Sequence, residues 1–442
     1  MLGGKKRRLL VGLEAEMFLL DEEGKVINKA DLLIEKARRV MNNKKDIKKE
    51  CSTSMVEVGA YPDKNEHKTM THLINNVEAL LLTAEKENIS LLPLGTYPGK
   101  FQPEMRRTGH HMLKKEIFGE QRFKIAGRVC GFHFHYDLPF NLPLIKNIAP
   151  LQFLDVKHEM DIINGYNMMT AMDPALTTFM QATPFYQGKH LAKDSRMLVY
   201  RGGKILKYPK GLYGEHQEFG ALQGYKYSMF ELMDMISGKF EDWKKHIKSV
   251  GVNIKTLSLY GSLLATSWNP VKINQIGTLE QRGMDMNHPQ HIIATSVLTR
   301  TVLKRIYKED LQVIPCEIGI DEPFKVEGKN LYVPPEDYLR KRLQVLSAFK
   351  GMDSPFIHNY CKNLHKLALD SVSNTKRPLL KELGHMIEKK QTVADDILKS
   401  ARKKGWKNGQ NLPQKIATDI ALEHSNKFFK EIFLTKKMID LL

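Results

Sequence analysis

The sequence predicts a fold of the α+β class, in which strands and helices do not alternate regularly. Short apolar runs with a period of two, which is typical of strands, recur as far as about residue 290. Helical patterns of varied length separate these runs, so a regular βαβ repeat is not favoured. From about His291 onward the pattern is mostly helical, with basic faces. We therefore expect a core over residues 1–300 and a mostly helical C-terminal part over residues 301–442 that packs on the core.

The individual elements follow from local patterns. The strand patterns end at turn signals, among them Pro62 and Pro139, and the longest helical patterns are amphipathic. Strands are predicted over 9–20, 54–62, 90–99, 128–139 and 276–287, and helices over 30–43, 69–89 and 148–180. Residues 183–204, which are rich in Gly, Pro and Lys, are predicted as a loop region.

The charge of the chain raises the question of an anionic partner. The 442 residues carry a formal net charge of +18, which suits nucleic acid, an acidic membrane surface or an anionic small molecule. The lysines are spread widely, however, and their runs lack the interleaved aromatic residues that stack on bases. We therefore favour a lysine-rich solvated surface and keep a nucleic-acid-binding protein as the alternative.

Other sequence features bear on the cellular compartment in which the protein is found. No run of about 18 apolar residues predicts a membrane span. The N-terminus has a basic start, but the apolar stretch and cleavage site of a signal peptide do not follow it. The four cysteines are scattered and form no C-x-x-C pair, so neither a disulfide framework nor a zinc knuckle is indicated. We interpret the protein as cytoplasmic.

The first predicted strand carries two like charges in an apolar setting. In a strand, alternate residues share a face, so Glu14 and Glu16 lie on one side and Leu13, Ala15 and Met17 on the other. The two Cα atoms would be roughly 6.6 Å apart. Buried carboxylates at that spacing repel each other, and a divalent cation between them would relieve the repulsion. The alternative is a sheet whose second face is solvated.

Three more predicted strands place ionisable groups on one face. Glu57 lies within an apolar strand, seven residues after Glu50; His133 shares a face with His135; and Glu280 shares a face with Arg282. One such strand is ordinary, but four of them suggest a sheet with a polar, metal-binding face. The His-x-His pair alone could equally be two core histidines.

Rival motifs are absent or incomplete. The P-loop G-x-x-x-x-G-K-S/T, the dinucleotide-binding G-x-G-x-x-G, H-E-x-x-H and the hydrolase motif G-x-S-x-G do not occur. The segment "HQE" at His216, with "PCEIG" at Pro315, is similar to a zinc deaminase signature. Gly319 stands where the second cysteine of that signature would be.

Five segments in order resemble a known family. They are "GLEAEMFLL", "ECSTSMVEVGAYP", "CGFHFHYDLP", "ATPFYQGKHLAKDSR" and "GTLEQRGMD", and they cover about residues 9–290. The pattern resembles the carboxylate–amine ligases related to glutamate–cysteine ligase, often called glutamate–cysteine ligase type 2, of the glutamine-synthetase-like superfamily. A weaker similarity, "TVADDILKSA", extends it toward the C-terminus.

The resemblance implies both a fold and a reaction. The fold would be a curved, mainly antiparallel sheet with helices on its outer side, and the concave face would hold ATP and two or three Mg²⁺ ions. ATP would phosphorylate a carboxylate, typically the γ-carboxylate of glutamate, to an acyl phosphate. An amine or amino acid would then attack, giving an amide, ADP and phosphate.

The resemblance also implies roles for the polar residues. Mg²⁺ prefers oxygen ligands, and phosphoryl transfer depends mainly on charge neutralisation. We assign Arg282 to the transferring phosphoryl group, Arg196 to phosphate or the substrate carboxylate, and His133 to a metal or a phosphate; Glu57 is counted as catalytic as well. The predicted metal ligands are Glu14, Glu16, Glu50, Glu57, His133 and Glu280. The alternatives are a salt bridge with Glu280 for Arg282 and a surface-loop position for Arg196.

Two segments depart from the family pattern. "GTYPG" at Gly95 stands where the family often has G-T-H-P-F, and "KHLAKD" stands where R-D-T-G is common. Both were expected near the substrate, so the choice of amine stays open. A non-catalytic relative of the family is the remaining alternative, and the sequence leaves a homo-oligomer open.

Overall fold

An antiparallel sheet of seven strands forms the centre of the molecule. The computed structural model describes residues 9–41, 43–137, 156–253, 255 and 263–441. In the sheet the strand order is β2-β3-β1-β5-β9-β8, and β4 pairs with the far end of β1. The strands are β1 Val11–Leu20, β2 Ile47–Lys49, β3 Met55–Gly59, β4 Ser90–Leu92, β5 Gly131–Asp137, β6 Phe185–Tyr186, β7 Lys189–His190, β8 Val271–Ile273, β9 Thr278–Asp285, β10 Gln312–Pro315, β11 Val326–Glu327 and β12 Asn330–Val333.

Helices pack against the apolar face of this sheet. The helices are α1 Ala30–Val40, α2 Glu66–Glu85, α3 Gly109–Phe118, α4 Glu120–Phe123, α5 Val156–Phe179, α6 Ser195–Arg201, α7 Gln217–Gly220, α8 Met229–Ser249, α9 Pro289–Glu309, α10 Ile318–Asp321, α11 Glu336–Tyr338, α12 Gln344–Lys350, α13 Pro355–Leu369, α14 Lys381–Lys389, α15 Val393–Lys403 and α16 Gln414–Asp440. Helices α2, α5 and α9 contact strands of the sheet. Among the described residues, none of the helices combines the length and apolar character that a membrane span requires.

The alternation along β1 explains why the sheet has two different faces. Leu13, Ala15 and Met17 are at most 1% exposed and belong to the main core, which also includes residues of α5, α9 and α16. Helix α5 is buried on all sides from Ile162 to Phe179, so it carries no polar face. The ionisable residues of β1 therefore point away from this core, as the period of two predicts.

The predicted fold class is confirmed, and most predicted elements appear within a few residues of their expected bounds. The predicted helix 148–180 is observed from Val156, and its first eight positions lie outside the described residues. The division of the chain at residue 300 stays a prediction; α9 runs through that position.

The structure corrects the sequence analysis in three places. Residues 183–204 were predicted as a loop but contain the hairpin β6–β7 and helix α6, which begins where the Asp194 carboxylate accepts a hydrogen bond from Met197 N at 2.7 Å. The long helix α8 was not assigned. The C-terminal part also contains a small sheet of β10, β11 and β12.

A group of neutral histidines is buried where α9 meets α16. His288 Nε2 and His424 Nδ1 lie 2.9 Å apart, and the ring of His291 is adjacent to that of His288. Burial lowers the pKa of His288 and of His291 to about 3, and burial also lowers the pKa of His424. We call these three residues the buried histidine cluster.

Candidate active site

The register of the sheet brings the predicted acidic residues together on its polar face. Glu14 lies opposite His133, and Glu16 lies opposite Glu57. In the next pair of strands, His135 lies opposite Glu280. Directly opposed residues of an antiparallel pair have neighbouring side chains on the same face. Four strands therefore contribute to a single polar surface.

His133 lies at the centre of this surface. Its Nδ1 atom is 3.5 Å from Glu14 Oε2 and 3.8 Å from Glu280 Oε1. Its Nε2 atom is 3.7 Å from Glu16 Oε1. On the other side of Glu14, His135 Nε2 lies 3.2 Å from Glu14 Oε2. We call Glu14, Glu16, Glu50, Glu57 and Glu280 the carboxylate cluster.

The cluster offers three overlapping sets of metal ligands. Within each set, the candidate ligand atoms all lie within 4.8 Å of one another. Carboxylate oxygens are the ligands that hard divalent cations prefer, and the sets share members, so neighbouring ions could be bridged. The sets are Glu14, His135 and Glu280; Glu14, Glu57 and His133; and Glu16, Glu50 and Glu57. The residues present therefore fit more than one divalent cation.

At the end of the carboxylate cluster that contains Glu50 and Glu57, several negative charges lie close together. Burial raises the pKa of Glu50 well above its ordinary value, and the nearby carboxylates of Glu16 and Glu57 raise it further. Burial, together with Glu14, likewise raises the pKa of Glu57. The Lys48 ammonium lies 2.7 Å from Glu14 Oε1 and 2.6 Å from Glu57 Oε1, where it offsets part of this repulsion. A cation ligated here would stabilise the ionised carboxylates.

At the other end, positive neighbours keep the carboxylates ionised. Burial disfavours the charge of Glu280, but Arg282 and His135 outweigh it and lower its pKa to about 2. Arg282 Nη1 donates to Glu280 Oε1 at 3.2 Å, and Asn274 Nδ2 donates to Glu280 Oε2 at 2.6 Å. For Glu14, burial also opposes ionisation, yet His135, His133 and Lys48 together outweigh burial and lower its pKa well below the ordinary value.

A β-bulge positions the two arginines. Between Phe132 and Phe134 the register of β5 against β9 shifts, so that Arg282 and Gly283 both oppose His133. Bulges of this kind re-aim side chains next to functional sites. Arg196 Nη1 donates to the Gly283 carbonyl oxygen at 3.1 Å and so holds the bulge from α6.

Gly131 explains the close approach of Arg196. A Cβ atom at this position would lie 2.4 Å from Arg196 Nη2 and 3.1 Å from His133 Nε2. Only glycine leaves the guanidinium room to reach the bulge. Arg196 is 5% exposed, so the surface-loop alternative for this residue was wrong. The Glu280–Arg282 salt bridge, by contrast, is present.

A cavity of about 110 Å³ opens beside the carboxylate cluster. Three basic groups line it, and loss of solvation lowers the pKa of one of them, Lys114, to about 7. One wall is aromatic and includes Phe118, Tyr213 and Trp268, whose rings pack against one another. The other lining residues that carry polar groups are Glu16, Glu50, Cys51, His111, Lys114, His133, Arg196, Tyr200 and Arg282. The cavity can therefore admit a small anionic molecule next to the metal-ligand sets.

The structure brings all eight sequence-predicted residues to this face, and their chemical roles stay predictions. They are Glu14, Glu16, Glu50, Glu57, His133, Arg196, Glu280 and Arg282. Sequence reasoning missed Lys48, Lys114 and Asn274, which lay in segments without a motif. The sequence does indicate His135, because it lies two residues from His133 on the same strand face. It was nevertheless given no role in the predicted site.

The two segments that depart from the family pattern make contacts outside the cavity. The Tyr97 hydroxyl donates to the Gly24 carbonyl oxygen at 3.1 Å and accepts from Gln414 Nε2 at 3.0 Å, in α16. Lys193 pairs with Asp353 at 2.6 Å and with Asp395 at 2.7 Å. Neither residue lines the cavity beside the cluster. These side chains fasten the C-terminal part to the core.

Comparison with known proteins identifies the family. A family model described as glutamate–cysteine ligase family 2 (GCS2) matches residues 10–410, while curated protein sequences give no significant match. The fold is similar to that of the Francisella tularensis glutamate–cysteine ligase solved with AMP, at a TM-score of 0.56 and 14% identity over 99% of this chain and 93% of that one. It is also similar to a bifunctional glutathione synthetase from Pasteurella multocida, at a TM-score of 0.58 and 14% identity over 96% of this chain and 53% of that one. At this identity the two structures support the fold, and the match over residues 10–410 shows that the chain belongs to glutamate–cysteine ligase family 2, a family of carboxylate–amine ligases.

Proposed function

We propose that the protein is an ATP- and Mg²⁺-dependent ligase that joins the γ-carboxylate of glutamate to an amine through an acyl phosphate. The observation that carries the proposal is the group of three overlapping metal-ligand sets beside Arg282. Phosphoryl transfer requires cations and donors that neutralise developing charge, and this face supplies ligands for such cations and guanidinium donors. Family membership supports the formation of a C–N bond.

The carboxylate cluster, with His133 and His135, would hold the metal ions. When bound, Mg²⁺ would neutralise the negative charge of the ATP phosphates. Glu57, like Glu14, belongs to two of the three ligand sets, so its carboxylate would help to hold an ion in either set. We propose a catalytic role for Glu57 on that ground.

The two arginines would bind the oxygens of the reacting groups. Arg282 is held by Glu280 and lines the cavity, so its guanidinium can donate to the transferring phosphoryl group. Arg196 reaches the same cavity from α6 and can bind a phosphate or the substrate carboxylate. Together with Lys114, these groups favour an anionic substrate such as a dicarboxylic amino acid.

A cytoplasmic location is part of the proposal. All four cysteines, Cys51, Cys130, Cys316 and Cys361, are free thiols in the structure. Unpaired cysteines suit a reducing compartment, where ATP and Mg²⁺ are also available.

The test is ADP release by the purified chain with ATP, Mg²⁺, glutamate and a panel of amines and amino acids. The expected result is ADP release that requires a carboxylate and increases with one amine, together with an amide product detected by mass spectrometry. Aspartate serves as the matched control, because it has the same groups on a shorter chain. No turnover with any carboxylate would support a non-catalytic relative. If salt-sensitive oligonucleotide binding accompanied that result, it would favour the nucleic-acid-binding alternative.

A further inference from the structure

A second group of possible metal ligands lies outside the carboxylate cluster. His216 precedes α7, Glu218 lies in α7 and His246 lies in α8. Their ligand atoms all lie within 4.8 Å of one another. Glu218 Oε1 is 3.7 Å from His216 Nδ1 and 3.3 Å from His246 Nε2. His246 of α8 therefore converges with two residues of the segment that begins α7.

The distances suit a tetrahedral metal ion. Two ligands at about 2.1 Å from a Zn²⁺ ion are roughly 3.4 Å apart when the coordination is tetrahedral. The two measured separations are close to this value. The Nδ1 atom of His216 is buried, and the described residues offer it no hydrogen-bond partner, since 3.7 Å is longer than a hydrogen bond. A metal ion bound here would satisfy this atom.

The ligand types distinguish this group from the carboxylate cluster. Two imidazoles and one carboxylate form the ligand set of many zinc sites with an open fourth position, and imidazole nitrogen favours zinc over Mg²⁺. We propose that His216, Glu218 and His246 form a zinc site that connects α7 to α8. The signal in the sequence was the "HQE" segment, whose partner is His246 in α8 instead of a downstream cysteine.

The location indicates what the ion would do. The ring of Phe118 packs against His216 on one side, at 5.4 Å between centroids, and lines the active-site cavity on the other. Phe219 and Trp243 pack beside the same group, and Phe219 contacts the ring of His246. An ion at this point would therefore hold α7 and α8 together behind the aromatic wall of the cavity. Its role in this proposal is to connect α7 to α8, and the proposal is independent of the reaction proposed above.

The test is a Zn²⁺ titration of the metal-free full-length chain by calorimetry, in which the wild type and the variants are compared because the carboxylate cluster also offers histidine ligands. We expect the wild type to bind one Zn²⁺ more than can be assigned to the carboxylate cluster, and His246→Ala and Glu218→Gln each to weaken the binding of that ion by at least about 10-fold. His385→Ala is the matched control, because His385 is an exposed histidine in α14. It should bind Zn²⁺ like the wild type.

A gain-of-signal variant keeps the test independent of stability. His246→Cys substitutes one zinc ligand for another, so its Co²⁺ complex should show the thiolate-to-metal charge-transfer absorption that the wild type lacks. Unchanged Zn²⁺ affinity in His246→Ala and Glu218→Gln, or the absence of that absorption in a folded His246→Cys variant, would overturn the proposal. The three residues would then form only a structural histidine–carboxylate contact.

Discussion

The removal of one partner from a buried ion pair beneath the active site should destabilise the fold strongly. Arg201 Nη1 lies 2.6 Å from Asp173 Oδ2, and Arg201 Nη2 lies 2.8 Å from Asp173 Oδ1. Asp173 is fully buried, and Gln281 in β9 donates a further hydrogen bond to it at 3.2 Å. Gln281 lies between Glu280 and Arg282, so the pair supports the strand that carries both. We predict that Asp173→Asn destabilises the fold severely.

The magnitude follows from the geometry. In the variant, one amide oxygen still accepts from Arg201, but an NH₂ group replaces the second acceptor, so one charge-assisted hydrogen bond, worth about 1.5–3 kcal/mol, is lost. The variant also leaves the Arg201 charge buried without a counter-ion, and breaking a buried pair in this way typically costs about 3–5 kcal/mol. We therefore expect the free energy of unfolding to fall by about 3–5 kcal/mol. Urea unfolding followed by tryptophan fluorescence measures this change.

An exposed pair provides the matched control. Asp337 lies 2.8 Å from Lys341 and is 75% exposed, so Asp337→Asn should change the free energy of unfolding by less than about 1 kcal/mol. The double variant Asp173→Asn/Arg201→Met should lose less than the sum of the two single variants, because no charge stays buried. A loss below about 1 kcal/mol for Asp173→Asn would refute the reasoning.

Three further outcomes are expected. Glu16→Gln and Arg282→Ala should each lower turnover in the ADP-release assay by at least about 100-fold with unchanged circular dichroism, because the first weakens a proposed metal-ligand set and the second removes a positive charge from the proposed phosphoryl site. Gly131→Ala should lower turnover at least about 10-fold, because the new Cβ would displace the Arg196 guanidinium. The buried histidine cluster should destabilise the fold in acid. The ordinary histidine pKa is about 6.5, and the folded pKa of two members is about 3, so the unfolded chain binds more protons between these values. The free energy of unfolding should therefore decrease as the pH falls through that window, and less steeply in His424→Gln.

Controls make these outcomes specific. Gly238→Ala adds a Cβ in the exposed part of α8, where no atom of the described chain lies within 4 Å, and it should leave turnover unchanged. His385→Gln removes an exposed histidine and should not alter the pH dependence of stability. Near-normal turnover in both Glu16→Gln and Arg282→Ala would contradict their assignment. If the free energy of unfolding of His424→Gln falls equally steeply in acid, groups outside the buried histidine cluster control the pH dependence.

Local periodicity was sufficient to predict the two faces of the sheet. The side chains of Leu13, Ala15 and Met17 are in the core, and those of Glu14 and Glu16 are on the polar face, because the period of a strand is fixed by its backbone. The shared polar face was inferred from the ionisable residues that four predicted strands each place on one side, although periodicity alone does not give the order of the strands. Helix α6 was missed because its seven residues are too few to show a clear helical period.

The register between paired strands determines which further residues reach the site. This register depends on contacts between residues that are distant in sequence. Lys48 belongs to a lysine-rich segment that sequence reasoning assigned to the solvated surface, and its side chain is indeed 49% exposed. Its ammonium nevertheless contacts both Glu14 and Glu57, because β2 pairs with β3 so that Lys48 lies opposite Glu57. A slip of one residue would turn Lys48 to the other face and leave two crowded carboxylates without this cation. The three-residue strand β2 thus matters for the charge balance of the site, although its sequence alone gives no sign of this role.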